Sequence, residues 1–115
     1  MKKEYFAGLE ITGWHVGEYP FGGNQAWQML TETELDDGRV FTEPLATVTV
    51  NPSGRIGKDE IAVKNYSENE GMLEFLIENG YVAEPHRVIV SGFVEIPVCK
   101  VLKKPRHTEP KEWKS

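Results

Sequence analysis

One stretch of helical periodicity lies in a chain that otherwise alternates between short extended runs and turn residues. The run Ser67-Glu68-Asn69-Glu70 matches the capping box, in which a serine oxygen and a glutamate carboxylate accept backbone N–H groups at a helix start. An apolar stripe follows, made of Met72, Leu73, Leu76 and Ile77, and Gly80 stands where helices end in left-handed backbone. These signals predict one helix over residues 68–79, with an exposed acidic ridge of Glu70, Glu74 and Glu78.

Short strands account for most of the remaining chain. Alternating and β-branched patterns predict strands over residues 4–11, 25–34, 45–51, 60–65, 86–91 and 93–102. Asp36, Asp37 and Gly38 form a hairpin-turn signal. Pro44 should interrupt a strand, and Pro97, which lacks an N–H, should lie in an edge or bulged strand. The pattern predicts an α+β fold, with a mostly antiparallel sheet of five to seven short strands and one packed helix.

Length and composition are consistent with one domain. The chain has 115 residues, 39% of them hydrophobic, and we expect residues 1–102 to form a single α+β domain. Its one cysteine, Cys99, excludes an internal disulfide and fits a cytoplasmic protein. No apolar run is long enough to span a membrane, so no membrane partner is expected.

The charges are divided between an acidic body and a basic C-terminal tail. Residues 4–99 carry a net charge of -11, whereas residues 100–115 carry +4. Residues 103–115 contain two prolines and one large apolar side chain, so we expect a disordered basic tail. This tail could bind nucleic acid through its cations and a stacking tryptophan. The residues concerned are Lys103, Lys104, Arg106, Lys111, Trp113 and Lys114.

No pattern of residues indicates catalysis or a bound cofactor. The sequence has no metal-ligand spacing and no phosphate-binding loop, and we expect neither a metal nor a cofactor. Cys99 alternates with strand residues and is interpreted as a small buried hydrophobe. An enzyme that uses His15 or His86 with carboxylates is a third, less supported hypothesis, because the sequence does not bring these histidines together.

The stretch from Gly13 to Trp27 is rich in aromatic residues, glycine and proline. It interrupts the strand pattern as far as Gly23, and its Trp14, His15 and Tyr19 are expected to be partly exposed. We expect Phe21 and Trp27 to pack in the core. Rigid aromatic side chains are typical anchors of protein interfaces, so Trp14, His15 and Tyr19 are candidate contacts for a protein partner.

Several segments together resemble a family of small uncharacterised proteins carried on bacterial conjugative elements, plasmids and phages. They are FGGNQAWQML (21–30), EPLATVTVN (43–51), KNYSENEGMLEFLIENGYV (64–82) and GFVEIPVCKV (92–101). The resemblance covers over half of the chain. It implies an accessory role in element maintenance, transfer or interference with host defence, and it supplies no catalytic residues.

Two functions follow as expectations. The first is a non-enzymatic, cytoplasmic protein-interaction module of a mobile element, which binds an unknown bacterial protein through the aromatic stretch or the acidic ridge. The alternative is a nucleic-acid-binding accessory protein that uses the basic tail.

Overall fold

The computed structural model describes residues 3–53 and 56–109, which form eight strands and one short α-helix. The strands are β1 (Tyr5–Phe6), β2 (Leu9–Glu10), β3 (Gly13–Glu18), β4 (Gln25–Glu34), β5 (Val40–Thr47), β6 (Glu60–Ala62), β7 (Arg87–Ser91) and β8 (Val94–Lys100), and the helix is α1 (Met72–Glu78). They pair antiparallel in three sheets, ordered β1-β2, β3-β4-β5 and β6-β8-β7. The α+β class and the antiparallel pairing are confirmed, but the strand count exceeds the expected five to seven.

The N-terminal strand expected over residues 4–11 is a small hairpin instead. Ala7 and Gly8 both have positive φ, at 53° and 81°, and turn the chain between β1 and β2. Two successive left-handed residues match the twist of a tight two-residue hairpin. The alternating sequence pattern did not reveal this turn.

Much of the stretch predicted to be irregular is regular strand. β3 runs from Gly13 to Glu18 and pairs with β4 over its whole length. Gly17 lies opposite Ala26, so the glycine within the pattern is an ordinary paired strand position. The turn is closed by the Tyr19 N–H, which donates to the Asn24 carbonyl at 2.9 Å. β4 itself has the predicted bounds.

The helix begins later than the capping box predicted. Ser67 has φ of 57° and opens a 3-10 turn through Asn69, and no side chain caps that turn. Gly71 then adopts φ of 92°, and α1 starts at Met72. A residue outside the predicted capping box accepts a hydrogen bond at the helix start: the Leu73 N–H donates to the Asn65 side-chain oxygen at 2.9 Å.

The predicted end of the helix is confirmed. Gly80 has φ of 77°, its N–H donates to the Ile77 carbonyl, and the Tyr81 N–H donates to the Leu76 carbonyl. This pair of bonds is the Schellman arrangement, and the Tyr81 ring stacks on Phe75 at 6.2 Å.

Pro44 and Pro97 lie within strands rather than ending them. Pro44 lies in β5, opposite Leu30, beside a register shift that accommodates it. Pro97 lies in β8, the central strand of its sheet, contrary to the edge position expected from its missing N–H. Its carbonyl accepts from Val63 N–H on the β6 side, so its nitrogen faces that side too. β6 has already ended at Ala62, and little pairing is lost there.

The larger of two hydrophobic clusters lies between the two three-stranded sheets and the helix. Trp27 and Met29 of β4 meet Ile61 of β6, Cys99 of β8 and Leu76 of α1, all fully or almost fully buried. Residues 48–50 connect the sheets: Val48 N–H donates to the Trp27 carbonyl, and the Val48 carbonyl accepts from Lys64.

Residues 105–109, here the C-terminal segment, lie along the outer edge of β3. The Thr108 N–H donates to the Trp14 carbonyl at 2.8 Å, and the Val16 N–H donates to His107 Nδ1 at 3.0 Å. Pro105 is buried. This packing differs from the expected disordered tail, because the free backbone groups of β3 offer hydrogen bonds that a composition argument does not anticipate. Residues 110–115 lie outside the described part.

Trp14→Ala should destabilise the fold by about 3–5 kcal/mol, the usual cost of removing a buried tryptophan. Trp14 is 7% exposed, and its ring centroid lies 6.3 Å from that of Trp27 and 5.1 Å from that of Tyr81. Urea unfolding monitored by circular dichroism measures the loss. The adjacent exposed residue supplies the control, since His15→Ala should change the free energy of unfolding little. Equal effects of the two substitutions would contradict the burial of Trp14.

Gly13→Ala should displace the C-terminal segment. A Cβ at this position would lie 2.9 Å from Thr108 Cβ, closer than packed carbons tolerate, so either backbone must shift. We expect faster amide hydrogen exchange at Thr108 and Val16, whereas Asp36→Ala, in the exposed turn between β4 and β5, should leave these amides unchanged. Unaltered protection in Gly13→Ala would show that the segment does not rest on β3.

Candidate functional site

The aromatic residues proposed as interface contacts do not form one exposed surface. Trp14 is buried, contrary to expectation, because β3 directs its ring into the core. Phe21, expected in the core, is 83% exposed in the β3–β4 turn, while Trp27 is buried as predicted. Tyr19 is half-buried, and its hydroxyl hydrogen-bonds to Thr49 at 3.0 Å.

His15 is exposed as expected, and its ring packs edge-on against His107 at 5.0 Å. The partner ring comes from the C-terminal segment, so the exposed side of β3 is partly occupied by the chain itself. The aromatic stretch therefore provides two separated exposed rings, His15 and Phe21, rather than a continuous patch.

The acidic ridge is interrupted. Glu74 and Glu78 are exposed on α1, but Glu70 precedes the left-handed Gly71 and is not part of the helix. Positive φ at Gly71 changes the chain direction, so the i+4 spacing of Glu70 and Glu74 does not align them on one helical face. Only two of the three carboxylates share the helix.

Three of the basic residues predicted to bind nucleic acid border one cavity. Lys103, Lys104 and Arg106 line an open cavity of about 710 Å³ beside the start of β3. The other three candidates, Lys111, Trp113 and Lys114, lie outside the described residues. The prediction grouped the six residues because they are close in sequence. In the structure, Lys103, Lys104 and Arg106 border the same cavity.

The titratable groups proposed for catalysis have separate surroundings. His15 contacts His107, whereas the His86 ring hydrogen-bonds to the Glu60 carboxylate, which also accepts from Arg87 at 3.4 Å. A hydrogen bond from the Gly57 N–H, with these two side chains, lowers the pKa of Glu60. Cys99 is fully buried and burial raises the pKa of its thiol to about 11, which makes it a poor nucleophile.

Among residues 3–53 and 56–109, no group of three or more His, Cys, Asp or Glu residues is placed to hold a metal ion. Within the same ranges, no helix has the length and apolar character needed to cross a membrane.

The sheet edges differ in how they are protected. The C-terminal segment covers β3, residues 48–50 hydrogen-bond to β6, and β5 carries Pro44, a residue that discourages edge pairing. β7 is the outer strand of the third sheet, and no other described segment pairs with its free side.

The β7–β8 hairpin combines this free edge with exposed apolar side chains. Val88 is 51% exposed, Val90 is 70% exposed, and Phe93, in the turn after Gly92, is fully exposed. We call these three residues the hairpin patch. The sequence predicted both strands but did not reveal the patch. The missing N–H of Pro97 led us to expect β8 at the edge of the sheet, whereas the edge strand is β7. The available signal was the run of three apolar residues from Val88 to Val90, because successive strand side chains point to opposite faces and place apolar side chains on both.

The backbone of the patch also faces solvent. Val88 is the register partner of Pro97, whose carbonyl points toward β6. In an antiparallel ladder such a pair directs its N–H and C=O groups away from each other, so those of Val88 point outward. Backbone groups of alternate residues in a strand point the same way, so the N–H and C=O groups of Val90, which pairs with Glu95, also point outward.

Comparisons with known proteins give no match. No protein-family model matches the chain, and no curated protein or solved structure is significantly similar to it. The resemblance to proteins of mobile elements therefore stays a prediction.

Acidification should cost the native protein more stability than it costs a Glu60→Gln variant. The folded state lowers the pKa of Glu60, so its ionised form contributes stability that is present above about pH 4.5 and is lost as the pH falls through the folded pKa. Glutamine keeps an oxygen for Gly57 but does not titrate. Urea midpoints at pH 6 and pH 3 measure the difference, with exposed Glu84→Gln as the control. Parallel losses in all three proteins would contradict the role of Glu60.

Proposed function

We propose that this chain is a non-enzymatic, cytoplasmic protein-interaction module of a bacterial mobile element, and that it binds a bacterial protein along the β7–β8 hairpin. The observation that carries the proposal is the hairpin patch: an unpaired strand edge with Val88, Val90 and Phe93 exposed beside it. An accessory role in element maintenance, transfer or interference with host defence rests on the family resemblance.

Strand addition is the binding mode that fits this surface. A partner segment in extended conformation would receive hydrogen bonds from the outward N–H and C=O groups of Val88 and Val90. Apolar side chains on that segment would cover the two valines, and Phe93 would provide a rigid aromatic anchor at the hairpin end. Exposed apolar edges of this kind promote aggregation unless a partner covers them, whereas the other long sheet edges of this chain are protected.

The patch is separate from the contacts that hold the domain together. Ile89, between the two valines, packs against the smaller core cluster of Ile56, Ala62, Ile96 and Val98. Substitutions of Val88, Val90 or Phe93 therefore alter the outer surface while Ile89 keeps the strand in place. This allows binding and folding to be measured independently.

Val90→Lys and Phe93→Ser should abolish capture of a stoichiometric protein partner from nuclease-treated bacterial lysate, because a charge or a lost anchor disrupts the patch. Phe21→Ser is the matched control: it removes another strongly exposed phenylalanine, from the β3–β4 turn, and should retain the partner. Mass spectrometry of the captured proteins gives the readout, and circular dichroism should show unchanged folding in all three variants.

Binding by strand addition also predicts slower hydrogen exchange at the Val88 and Val90 amides in the complex. A partner that is kept by Phe93→Ser and lost in Phe21→Ser would move the site to the aromatic turn. Concentration-dependent dimerisation of the pure protein, lost in Val90→Lys, would instead make a second copy of the chain the occupant.

A further inference from the structure

An open cavity beside the start of β3 carries positive charge in an otherwise acidic protein. Its walls come from the β1–β2 hairpin, the start of β3 and residues 103–108, and its volume is about 710 Å³. Four cations, Lys3, Lys103, Lys104 and Arg106, border it together with two carboxylates, Glu4 and Glu10. The local excess of positive charge contrasts with the net charge of -5 for the whole chain.

The two carboxylates are engaged within the wall of the cavity. Glu4 accepts a hydrogen bond from the Tyr81 hydroxyl at 2.5 Å, and Glu10 lies 3.9 Å from the Lys3 ammonium. Burial, followed by the bond to Glu4, raises the pKa of Tyr81, so its hydroxyl stays protonated and continues to donate. These contacts reduce the repulsion that Glu4 and Glu10 would exert on an anion.

Among the described residues, Lys103, Lys104 and Arg106 form no ion pair. Lys103 already contacts the Asn79 carbonyl at 3.3 Å and lies over the Tyr81 ring at 4.3 Å. Across the described residues, no ion pair or side-chain hydrogen bond involves the Lys104 ammonium or the Arg106 guanidinium. Both side chains are exposed and free to meet an external anion.

The positive surface continues past the first cavity. A second, polar cavity of about 330 Å³ shares Lys104 with the first and adds Lys58, beside a single carboxylate, Glu18. Five cations thus surround two adjoining cavities. A ligand with several linked negative charges can contact several of these cations at once, whereas a single small anion would meet one or two exposed cations and bind weakly.

The geometry points to contacts with phosphates rather than with bases. Trp14 and Tyr81 line the first cavity but are only 7% and 5% exposed, so neither offers a face for stacking. Lys103 further covers the Tyr81 ring. The amides of Asn24 and Gln25, which line the second cavity, donate within the chain, to Asn51 Oδ1 at 3.2 Å and to the Lys58 carbonyl at 2.7 Å. Recognition at these cavities therefore depends on charge and is independent of sequence.

We propose that the two cavities joined at Lys104 form a binding site for the phosphate backbone of a nucleic acid, without sequence preference. The site is independent of the hairpin patch, which lies on the other three-stranded sheet. It also differs from the tail-only hypothesis, because Lys3 and Lys58 contribute from outside the tail.

Fluorescence anisotropy with a labelled 20-nucleotide oligo(dT), and with a 20-base-pair duplex, tests the proposal on the full chain. We expect dissociation constants of about 10⁻⁶ to 10⁻⁴ M at 50 mM salt, with affinity falling steeply as salt rises. Lys104→Glu should weaken binding about tenfold and make the salt dependence shallower. Lys100→Glu makes the same charge change at an exposed position outside both cavities and should weaken binding much less.

Three results would overturn the proposal. They are no binding of either probe at 50 mM salt, equal losses in Lys104→Glu and Lys100→Glu, and a loss confined to a Lys111→Glu, Lys114→Glu variant. Equal affinity for polyglutamate of matched charge would also overturn it, since that would indicate general attraction of polyanions. Preference for the single strand or the duplex supports the proposal in either case and identifies the source of the phosphates.

Discussion

Residues 48–50 hydrogen-bond to both three-stranded sheets, and the placement of every larger element depends on that crossing. The Val48 N–H reaches Trp27 on one side, while Val50 N–H donates to Ala62 on the other. Thr49, almost fully buried, accepts from the Trp27 N–H through its hydroxyl oxygen at 3.1 Å. Because buried backbone groups need partners, this short segment aligns the sheets so that their inner faces share one core. The helix closes that core, and buried Asn69 ties its approach to the Thr47 and Lys64 carbonyls.

Local signals in the sequence predicted local structure well and edge positions poorly. The bounds of β4, the Asp36–Gly38 turn and the end of the helix at Gly80 follow from periodicity and from backbone preferences of single residues. Pro97 was misleading because its consequence depends on whether a neighbouring strand still runs beside it, which is a property of the fold. For a similar reason, Trp14 is buried and Phe21 is exposed, the reverse of what we expected. Which aromatic ring is buried depends on the register of β3 against β4, and single-residue composition does not encode that register.

The same limit applies to the candidate sites. The cations of residues 103–106 were identified from composition, but their association with Lys3 and Lys58 depends on long-range packing. The hairpin patch was missed although both of its strands were predicted. Its significance comes from comparison with the edges at β3, β5 and β6, which are covered or carry a proline. A sequence pattern reports what one strand contains, whereas exposure of an edge depends on what the rest of the chain leaves uncovered.

The shortness of β7 limits what an added strand can supply. The strand has five residues, about 17 Å of pairing length, and only Val88 and Val90 turn their backbone groups outward. Four backbone hydrogen bonds would contribute about 2–6 kcal/mol in net terms. Association costs about 4–15 kcal/mol in lost freedom, so backbone pairing alone would give a complex too weak to persist. A lasting partner would therefore also need side-chain contacts with the two valines and with the Phe93 ring, and selectivity would come from those contacts rather than from backbone pairing.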